Sequence, residues 1–191
     1  MSGGKADPPG LTRLHPIGGH PKDRPRAHDH PAALEDDRLL AECDQRFLRR
    51  SGPGGQNRNK VETAVVLRHR PTGLTAEANE RRSQSENRRE ALRRLRLALV
   101  LSVRRPAEAP SPLWRSRCQG GRIALNPDHE DVPAILAEAL DALETRGLDP
   151  KAAAEALGCS PSQLVKLLKI EPRALAGLNR ARAARGLRPL L

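Results

Sequence analysis

The sequence predicts an α+β protein, in which a small domain with a short mixed sheet and a packed helix precedes an all-α, helix-turn-helix-like module. Apolar residues alternate loosely along two segments between residues 43 and 78, as they do in half-buried strands. Leucines at helical spacing follow from Leu92. From Val132 onward, alanine-rich segments are separated by repeated helix-start signals.

The charge of the 191-residue chain is strongly positive, at +11, which favours a polyanion such as RNA as partner. The excess lies between Cys43 and Arg105, where 16 Lys and Arg stand against 6 Asp and Glu. Phe47 and Trp114 are the only aromatic residues, so few side chains are available to stack on bases. We therefore expect phosphate contact and shape to dominate recognition.

Several function classes are disfavoured by what the sequence does not contain. The cysteines Cys43, Cys118 and Cys159 lie far apart, so we expect free thiols rather than disulfides or a zinc site, and no cofactor or metal. No apolar run approaches the roughly 18 residues that span a bilayer, and no signal peptide is recognisable. We expect a cytoplasmic protein with no membrane partner.

Four segments are expected along the chain. Residues 1–30 are rich in Pro, Gly and His without periodicity, which predicts a disordered tail rather than a histidine metal site. Residues 31–103 form the first domain, residues 104–127 a linker with an irregular segment or small hairpin, and residues 128–191 the helical module.

The first domain is predicted to open with a helix from about Pro31 to Glu42. A strand follows over residues 43–50, and we expect its Phe47 and Leu48 to enter the core. Val65–Arg68 and Leu74–Ala78 then form a hairpin around the turn Pro71-Thr72-Gly73.

The strongest predicted helix begins at Ser83, which forms an S-x-x-E capping box with Glu86. Its leucines face the sheet, and Arg89, Arg93 and Arg96 lie on another face. Because most of these arginines lack an acidic partner four residues away, we favour RNA contact over a merely solvated face.

The helical module carries two further start signals, Asp149-Pro150 and Ser160-Pro161, and a last helix from Pro172 to about Arg185. The spacing of Ala154, Gly158 and Leu164 is typical of a helix-turn-helix, although any compact three-helix module can produce it. We favour a module that rests on RNA or on a protein, over DNA reading or plain packing.

Residues 51–60, SGPGGQNRNK, are the one segment suited to chemistry, because the sequence shows no catalytic triad, H-E-x-x-H or phosphate-binding loop. Gly54 and Gly55 permit positive φ and close approach of the backbone to another molecule. They present the neutral amide of Gln56 within a cationic stretch. This pattern suggests delivery of a hydrogen-bonding group to an RNA-lined site.

The segments RRSGPGGQNRNKVETAV, PTG and ERRSQSENRREAL occur in the order found in the GGQ domain of bacterial class I peptide chain release factors. Over about residues 38–102 the chain resembles this family, above all its short release-factor-like and ribosome-rescue members without a codon-recognition domain. The resemblance implies a GGQ-type domain whose loop enters the peptidyl transferase centre and triggers hydrolysis of peptidyl-tRNA.

The resemblance also implies roles for individual residues. Gly54, Gly55 and Gln56 would be catalytic, and hydrolysis would occur only on the ribosome. The partners would be large-subunit rRNA and peptidyl-tRNA, and the protein would be monomeric off the ribosome. The residues that would hold rRNA phosphates are Arg49, Arg50, Arg58, Lys60, Arg82, Arg88, Arg89, Arg93 and Arg96.

Three departures from the family pattern qualify these expectations. Asn57 stands where the family often has His. Residues 1–37 are too short and polar for a codon-recognition domain, which leads us to expect codon-independent release. A helical module replaces the lysine-rich tail of many rescue members. The alternatives are a non-catalytic rRNA- or ribosome-binding protein and a nucleic-acid-binding regulator that acts through the helical module.

Overall fold

The computed structural model describes residues 30–49, 63–106 and 110–191. The predicted tail over residues 1–29 and the glycine-rich segment therefore lie outside the described residues. Within those ranges the chain forms seven α-helices and two small antiparallel sheets, which confirms the α+β class. None of the helices in this part of the chain combines the length and apolarity needed to cross a bilayer.

The first sheet has the order β1-β2-β3, formed by Cys43–Leu48, Ala64–His69 and Thr75–Ala78. The predicted hairpin between β2 and β3 is confirmed, and Gly73 takes a positive φ of 72° in its turn. The sheet is entirely antiparallel, not mixed as predicted. Each strand pairs antiparallel with its neighbour in sequence.

The segment before β1 differs from the single helix that was predicted. A 3₁₀ turn covers Pro31–Ala33, and α1 covers Asp36–Ala41, with extended backbone at Leu34 and Glu35 between them. His30 was predicted in the disordered tail, but it is buried. Its Nδ1 accepts a hydrogen bond from the Ala32 N–H at 3.0 Å, and its Nε2 lies 3.3 Å from the Val103 carbonyl oxygen.

The long helix α2, Gln84–Ser102, packs on β2 and β3. The predicted cap is present, since the Ser83 hydroxyl accepts a hydrogen bond from the Glu86 N–H at 3.5 Å. Leu95 and Leu99 on its inner face are completely buried. This helix therefore forms the second layer of the domain.

Phe47 and Leu48 do not enter the core as predicted, because they are 41% and 37% exposed. Phe47 pairs with the buried Val65 and so faces the side of the sheet that α2 covers. The helix lies over β2 and β3, however, and β1 extends beyond its cover. The prediction was therefore wrong for both residues, since Phe47 lies beyond the cover of α2 and Leu48, the next residue of the strand, belongs to the opposite face.

The rest of the chain is mainly helical. The segment over residues 113–126 contains α3, Pro112–Arg117, and a short hairpin of β4, Cys118–Gln119, with β5, Arg122–Ile123. Four helices follow, as the start signals predicted: α4 (Val132–Thr145), α5 (Pro150–Leu157), α6 (Pro161–Leu168) and α7 (Pro172–Ala184). Asp149 and Ser160 cap α5 and α6.

The helices pack against the first layer and share its core. Buried residues of α2, such as Leu99, belong to the same apolar cluster as Ile135 and Leu136 of α4, and α2 also contacts α7. The boundary between a domain over 31–103 and a module over 128–191 stays a prediction.

The segment that joins the two parts is fixed to α4 at both of its described ends. Asp141 accepts a hydrogen bond from the Arg105 N–H at 2.9 Å, and Glu138 accepts from the Ser111 N–H and hydroxyl, each at 2.6 Å. Burial raises the pKa of Asp141 to about 7 and also raises the pKa of Glu138. The expected linker is therefore held by two buried carboxyl groups one helical turn apart.

Candidate nucleic-acid interface

The glycine-rich segment leaves and re-enters the fold at one end of the first sheet. Leu48, the last residue of β1, pairs directly with Ala64, the first residue of β2. The predicted site residues Gly54, Gly55, Gln56, Arg50, Arg58 and Lys60 lie outside the described residues. The fold thus brings together the two ends of the connection that carries them.

Asn87 fixes the returning end of this connection. Its side-chain amide is completely buried and donates hydrogen bonds to the carbonyl oxygens of Thr63, at 2.7 Å, and Arg81, at 2.9 Å. Its Oδ1 accepts from the Arg81 N–H at 2.9 Å. Asn87 therefore ties Thr63, three residues after the glycine-rich segment, to the first turn of α2.

Sequence reasoning did not single out Asn87 as a positioning residue. Its position relative to Ala91 and Leu95 places it on the buried face of α2, at the helical spacing of four residues. A polar residue on such a face needs hydrogen-bond partners when it is buried. A polar asparagine at an apolar position of the helix was therefore the sequence signal that could have identified Asn87 as a positioning residue.

Three predicted RNA-binding arginines beside this point keep their guanidinium groups available. Arg82, Arg88 and Arg89 are exposed, and none makes a side-chain hydrogen bond or ion pair with another residue in the described ranges. Arg49, at the end of β1, is exposed as well. These residues surround the root of the glycine-rich segment with positive charge.

Arg93 is placed differently, because the same helix provides it with an acidic partner. Its Nε and Nη2 donate to the two carboxylate oxygens of Glu90 at 2.9 and 2.8 Å. Glu90 also accepts from Arg94, and these arginines lower the pKa of Glu90 to about 2, with Arg93 contributing most. The side chain of Arg93 nevertheless stays 64% exposed, so it can still meet a ligand.

Arg96 has a structural role that its spacing did not reveal. It donates to the Ala32 carbonyl oxygen at 2.8 Å and to Asp36 at 2.6 Å, and its side chain is only 14% exposed. It joins α2 to the segment before β1. Of the three arginines predicted on one basic face, Arg89 matches the expectation of an arginine without an acidic partner, and Arg93 and Arg96 do not.

A groove of about 330 Å³, which we call the root groove, lies between α1, β1 and the first half of α2. It combines the exposed ring of Phe47 with two unpaired guanidinium groups, and carboxylates of α1 close the opposite side. Its lining consists of Asp36, Asp37, Leu40, Phe47, Gln84, Ser85, Arg88, Arg89 and Leu92. A ring beside guanidinium groups can stack on a base while the cations contact phosphate.

Other kinds of site find no support in the described ranges. No group of three or more His, Cys, Asp or Glu side chains there is arranged to hold a metal ion. The cysteines Cys43, Cys118 and Cys159 are free thiols.

Comparison with known proteins places this region in a family. Residues 40–120 match the RF-1 domain family. The chain is 48% identical over 66 residues to a mitochondrial peptide chain release factor-like protein of Saccharomyces cerevisiae, which covers 34% of this chain and 41% of the yeast protein. It is 32% identical over 150 residues to peptide chain release factor 1 of Frankia casuarinae, covering 66% of this chain and 42% of that protein.

A third relative, the mitochondrial translation release factor in rescue of Danio rerio, is 43% identical over 63 residues, covering 33% of this chain and 40% of that protein. The chain thus spans about two fifths of the length of these relatives. No solved structure shows a significant match to the chain.

Proposed function

We propose a peptide-release function for this chain, whose residues 40–120 match the RF-1 domain family and which is similar to peptide chain release factors. The reaction is hydrolysis of the ester bond of peptidyl-tRNA in the peptidyl transferase centre of the ribosome. The observation that carries the proposal is the sequence Gly54-Gly55-Gln56 inside the RF-1 match.

The chemistry assigned to the loop is stabilisation of developing charge. Water attacks the ester carbonyl, and a tetrahedral oxyanion forms before the tRNA ribose leaves. By resemblance to the family, the backbone N–H of Gln56 is a donor toward this charge, and the side-chain amide admits water while excluding larger nucleophiles. A single preplaced donor of this kind lowers the activation free energy by on the order of 3–4 kcal/mol.

The described scaffold supports this role by fixing the loop at its root. The β1–β2 pairing holds both ends of the connection, and Asn87 anchors Thr63. Arg82, Arg88 and Arg89 leave their charges available for rRNA phosphates beside the root. The remaining catalytic groups would be ribosomal RNA and tRNA, so the isolated protein would be inactive toward peptidyl-tRNA.

We further propose that release does not depend on a stop codon. The similarity to the rescue-named relative of Danio rerio supports this part. The protein would act in the cytoplasm, as a monomer before it binds the ribosome. Its partners would be large-subunit rRNA and peptidyl-tRNA.

A peptide-release assay on ribosomes loaded with labelled peptidyl-tRNA tests codon dependence. Ribosomes would carry a stop codon, a sense codon or no mRNA codon in the A site. We expect release rates to be highest with the empty site and similar for the two codons. Release confined to the stop codon would contradict codon independence, and no release on any ribosome would favour the non-catalytic ribosome-binding alternative.

One observation favours a second candidate, a nucleic-acid-binding regulator. Between α5 and α6 only three residues intervene, and Gly158 takes a left-handed φ of 66°, which suits a helix-turn-helix. Selection of random double-stranded DNA by the full-length protein tests it. Enrichment of a defined sequence, lost in Lys166→Ala/Lys169→Ala on α6, would support the regulator.

A further inference from the structure

A second groove, which we call the arginine groove, lies between the C-terminal end of α2 and α7. Its volume is about 280 Å³. Of the seven described residues around it, three are arginines and none is acidic. The lining consists of Leu101, Arg104, Arg173, Ala174, Ala176, Gly177 and Arg180.

The arginines of α7 are arranged on one face of the helix. Arg173, Gly177 and Arg180 stand at positions i, i+4 and i+7, which share a face. Arg180 is exposed and makes no side-chain hydrogen bond or ion pair within the described parts of the chain. Arg173 donates to Glu171 at 2.8 Å but remains 66% exposed. Both cations are therefore accessible from the groove.

Gly177 between these arginines is not explained by packing. A glycine inside a helix costs about 0.5–1 kcal/mol relative to alanine. An added Cβ would come within 4 Å of a single atom, the Nη2 of Arg180, at 3.8 Å. No neighbouring helix therefore requires a glycine here. Its effect is to keep the floor of the groove low between two guanidinium groups.

Arg104 closes the groove from the α2 side. It donates to the carbonyl oxygens of Val100 and Val103, and burial lowers its pKa, against the nearby carboxylates of Asp141 and Glu144. Glu144 pairs instead with Arg185 at 2.6 Å. The Arg104 side chain is exposed, and a guanidinium with remaining N–H groups is well suited to bind phosphate.

We propose that the arginine groove binds a backbone phosphate of large-subunit RNA, so that the helical module extends the RNA contact of α2. The identity of the RNA rests on the proposed release function. Arg88 in the root groove and Ser102 at the end of α2 are 14 residues apart, which is roughly 21 Å along the helix, and Arg104 follows two residues later. Arg93 lies between them in the sequence and interacts electrostatically with Glu171 at the start of α7. A polynucleotide is long enough to reach both grooves, whereas a small anion can occupy one groove only.

The test is binding of the full-length protein to purified large ribosomal subunits, measured by co-sedimentation over a range of salt concentrations. The variant Arg173→Ala/Arg180→Ala removes two groove cations. The control Arg122→Ala/Lys151→Ala removes two exposed cations of β5 and α5, so the net charge changes equally. Thermal unfolding checks that both variants fold.

We expect the groove variant to bind about tenfold more weakly and to lower the slope of log K against log salt by about one, as expected for loss of one phosphate contact, with little change in the control. A second pair keeps the size of the side chain constant. Gly177→Glu places a carboxylate on the floor and should weaken binding more than Gly177→Gln. Equal effects of the two double variants, or of the two Gly177 variants, would overturn the inference.

The outcome is distinguishable from failure of the release function. Wild-type protein that binds subunits through the groove but releases no peptide would refute release and retain the groove. Wild-type protein that releases peptide, with groove variants bound as tightly, would retain release and refute the groove. Absence of wild-type binding to the subunits would refute both.

Discussion

The two ends of α2 use their polar side chains in different ways. At the N-terminal end, Arg88 and Arg89 are exposed and unpaired within the described ranges, beside the exposed ring of Phe47. At the C-terminal end, Arg104 is bonded to carbonyl oxygens, and the backbone N–H of Arg105 donates to the buried Asp141. The first end thus presents unpaired cations to another molecule, whereas the second combines an exposed arginine with contacts that join two parts of the fold.

The middle of the helix shows that a run of arginines is not a single surface. Arg94 donates to the Glu77 carbonyl oxygen, Glu80 and Glu90, and Arg96 donates to Ala32 and Asp36. Arg94 and Arg96, two residues apart in the sequence, therefore bind different parts of the fold. The availability of an arginine to a ligand depends on its exposure and its internal partners, not on charge alone.

The largest effect on stability is expected at the N-terminal anchor. Asn87→Ala leaves the Thr63 and Arg81 carbonyl oxygens without their buried donor, which should cost on the order of 2–3 kcal/mol in the free energy of unfolding. Chemical denaturation measures this cost. Gln45→Ala, which removes an exposed amide of β1, is the control and should cost below about 1 kcal/mol. Similar costs for both variants would refute the anchoring role.

The C-terminal end should show a pH dependence centred on Asp141. Its pKa is raised to about 7 in the folded protein from an ordinary value of 3.8. The folded state therefore holds a proton that the unfolded state has lost, so the contribution of Asp141 to stability is greatest at low pH and falls as pH rises from about 4 to about 7. Between pH 5 and 8 this loss should be on the order of 2 kcal/mol.

Asp141→Asn should flatten this slope, because an amide can still accept the Arg105 N–H bond but does not ionise. Thermal unfolding of wild type and variant at several pH values checks it. Some slope should remain, since burial also raises the pKa of Glu138. An unchanged slope in the variant would show that Asp141 is ionised throughout.

The arginines along α2 should separate binding from stability. Arg88→Ala/Arg89→Ala should weaken binding to large ribosomal subunits about tenfold while the unfolding free energy changes by less than about 0.5 kcal/mol. Arg96→Ala should do the reverse, lowering stability by about 1–2 kcal/mol through loss of its bonds to Ala32 and Asp36. Co-sedimentation and denaturation of each variant test the contrast. Equal losses of binding in the Arg88→Ala/Arg89→Ala and Arg96→Ala variants would contradict this prediction.

The smallest effect is expected for Phe47→Ala. Because the ring is 41% exposed, its removal should change stability by less than about 1 kcal/mol. Loss of a stacking surface should weaken subunit binding by about threefold to tenfold. Phe47→Leu keeps apolar area but lacks the face of the ring, so its binding to the subunit should be weakened as well. If Phe47→Ala binds the subunit as tightly as wild type, the ring does not contribute to the interface.

Local signals in the sequence predicted most of the secondary structure. The caps at Ser83, Asp149 and Ser160 mark helix starts where a side-chain oxygen binds an N–H two or three residues ahead. The period of the leucines in α2 predicted its buried face for the same reason. Each of these features depends on residues within one or two turns.

The features that sequence reasoning missed depend on distant partners. His30 is buried because Val103, 73 residues away, lies beside it, and Arg96 reaches Ala32, 64 residues away. The exposure of Phe47 depends on where α2 ends its cover of the sheet. Periodicity fixes which face a residue belongs to, but not what covers that face.

The most direct test of the account is the single-turnover rate of peptide release at saturating protein, compared between wild type, Gly55→Ala and Gln56→Ala. We predict that Gly55→Ala slows hydrolysis by about 10²–10³ without loss of ribosome binding, because it disturbs the backbone N–H of Gln56. Gln56→Ala keeps that N–H, so it should slow hydrolysis less and increase release by added hydroxylamine. Equal rates for wild type and Gly55→Ala at equal occupancy would contradict a catalytic role for the loop.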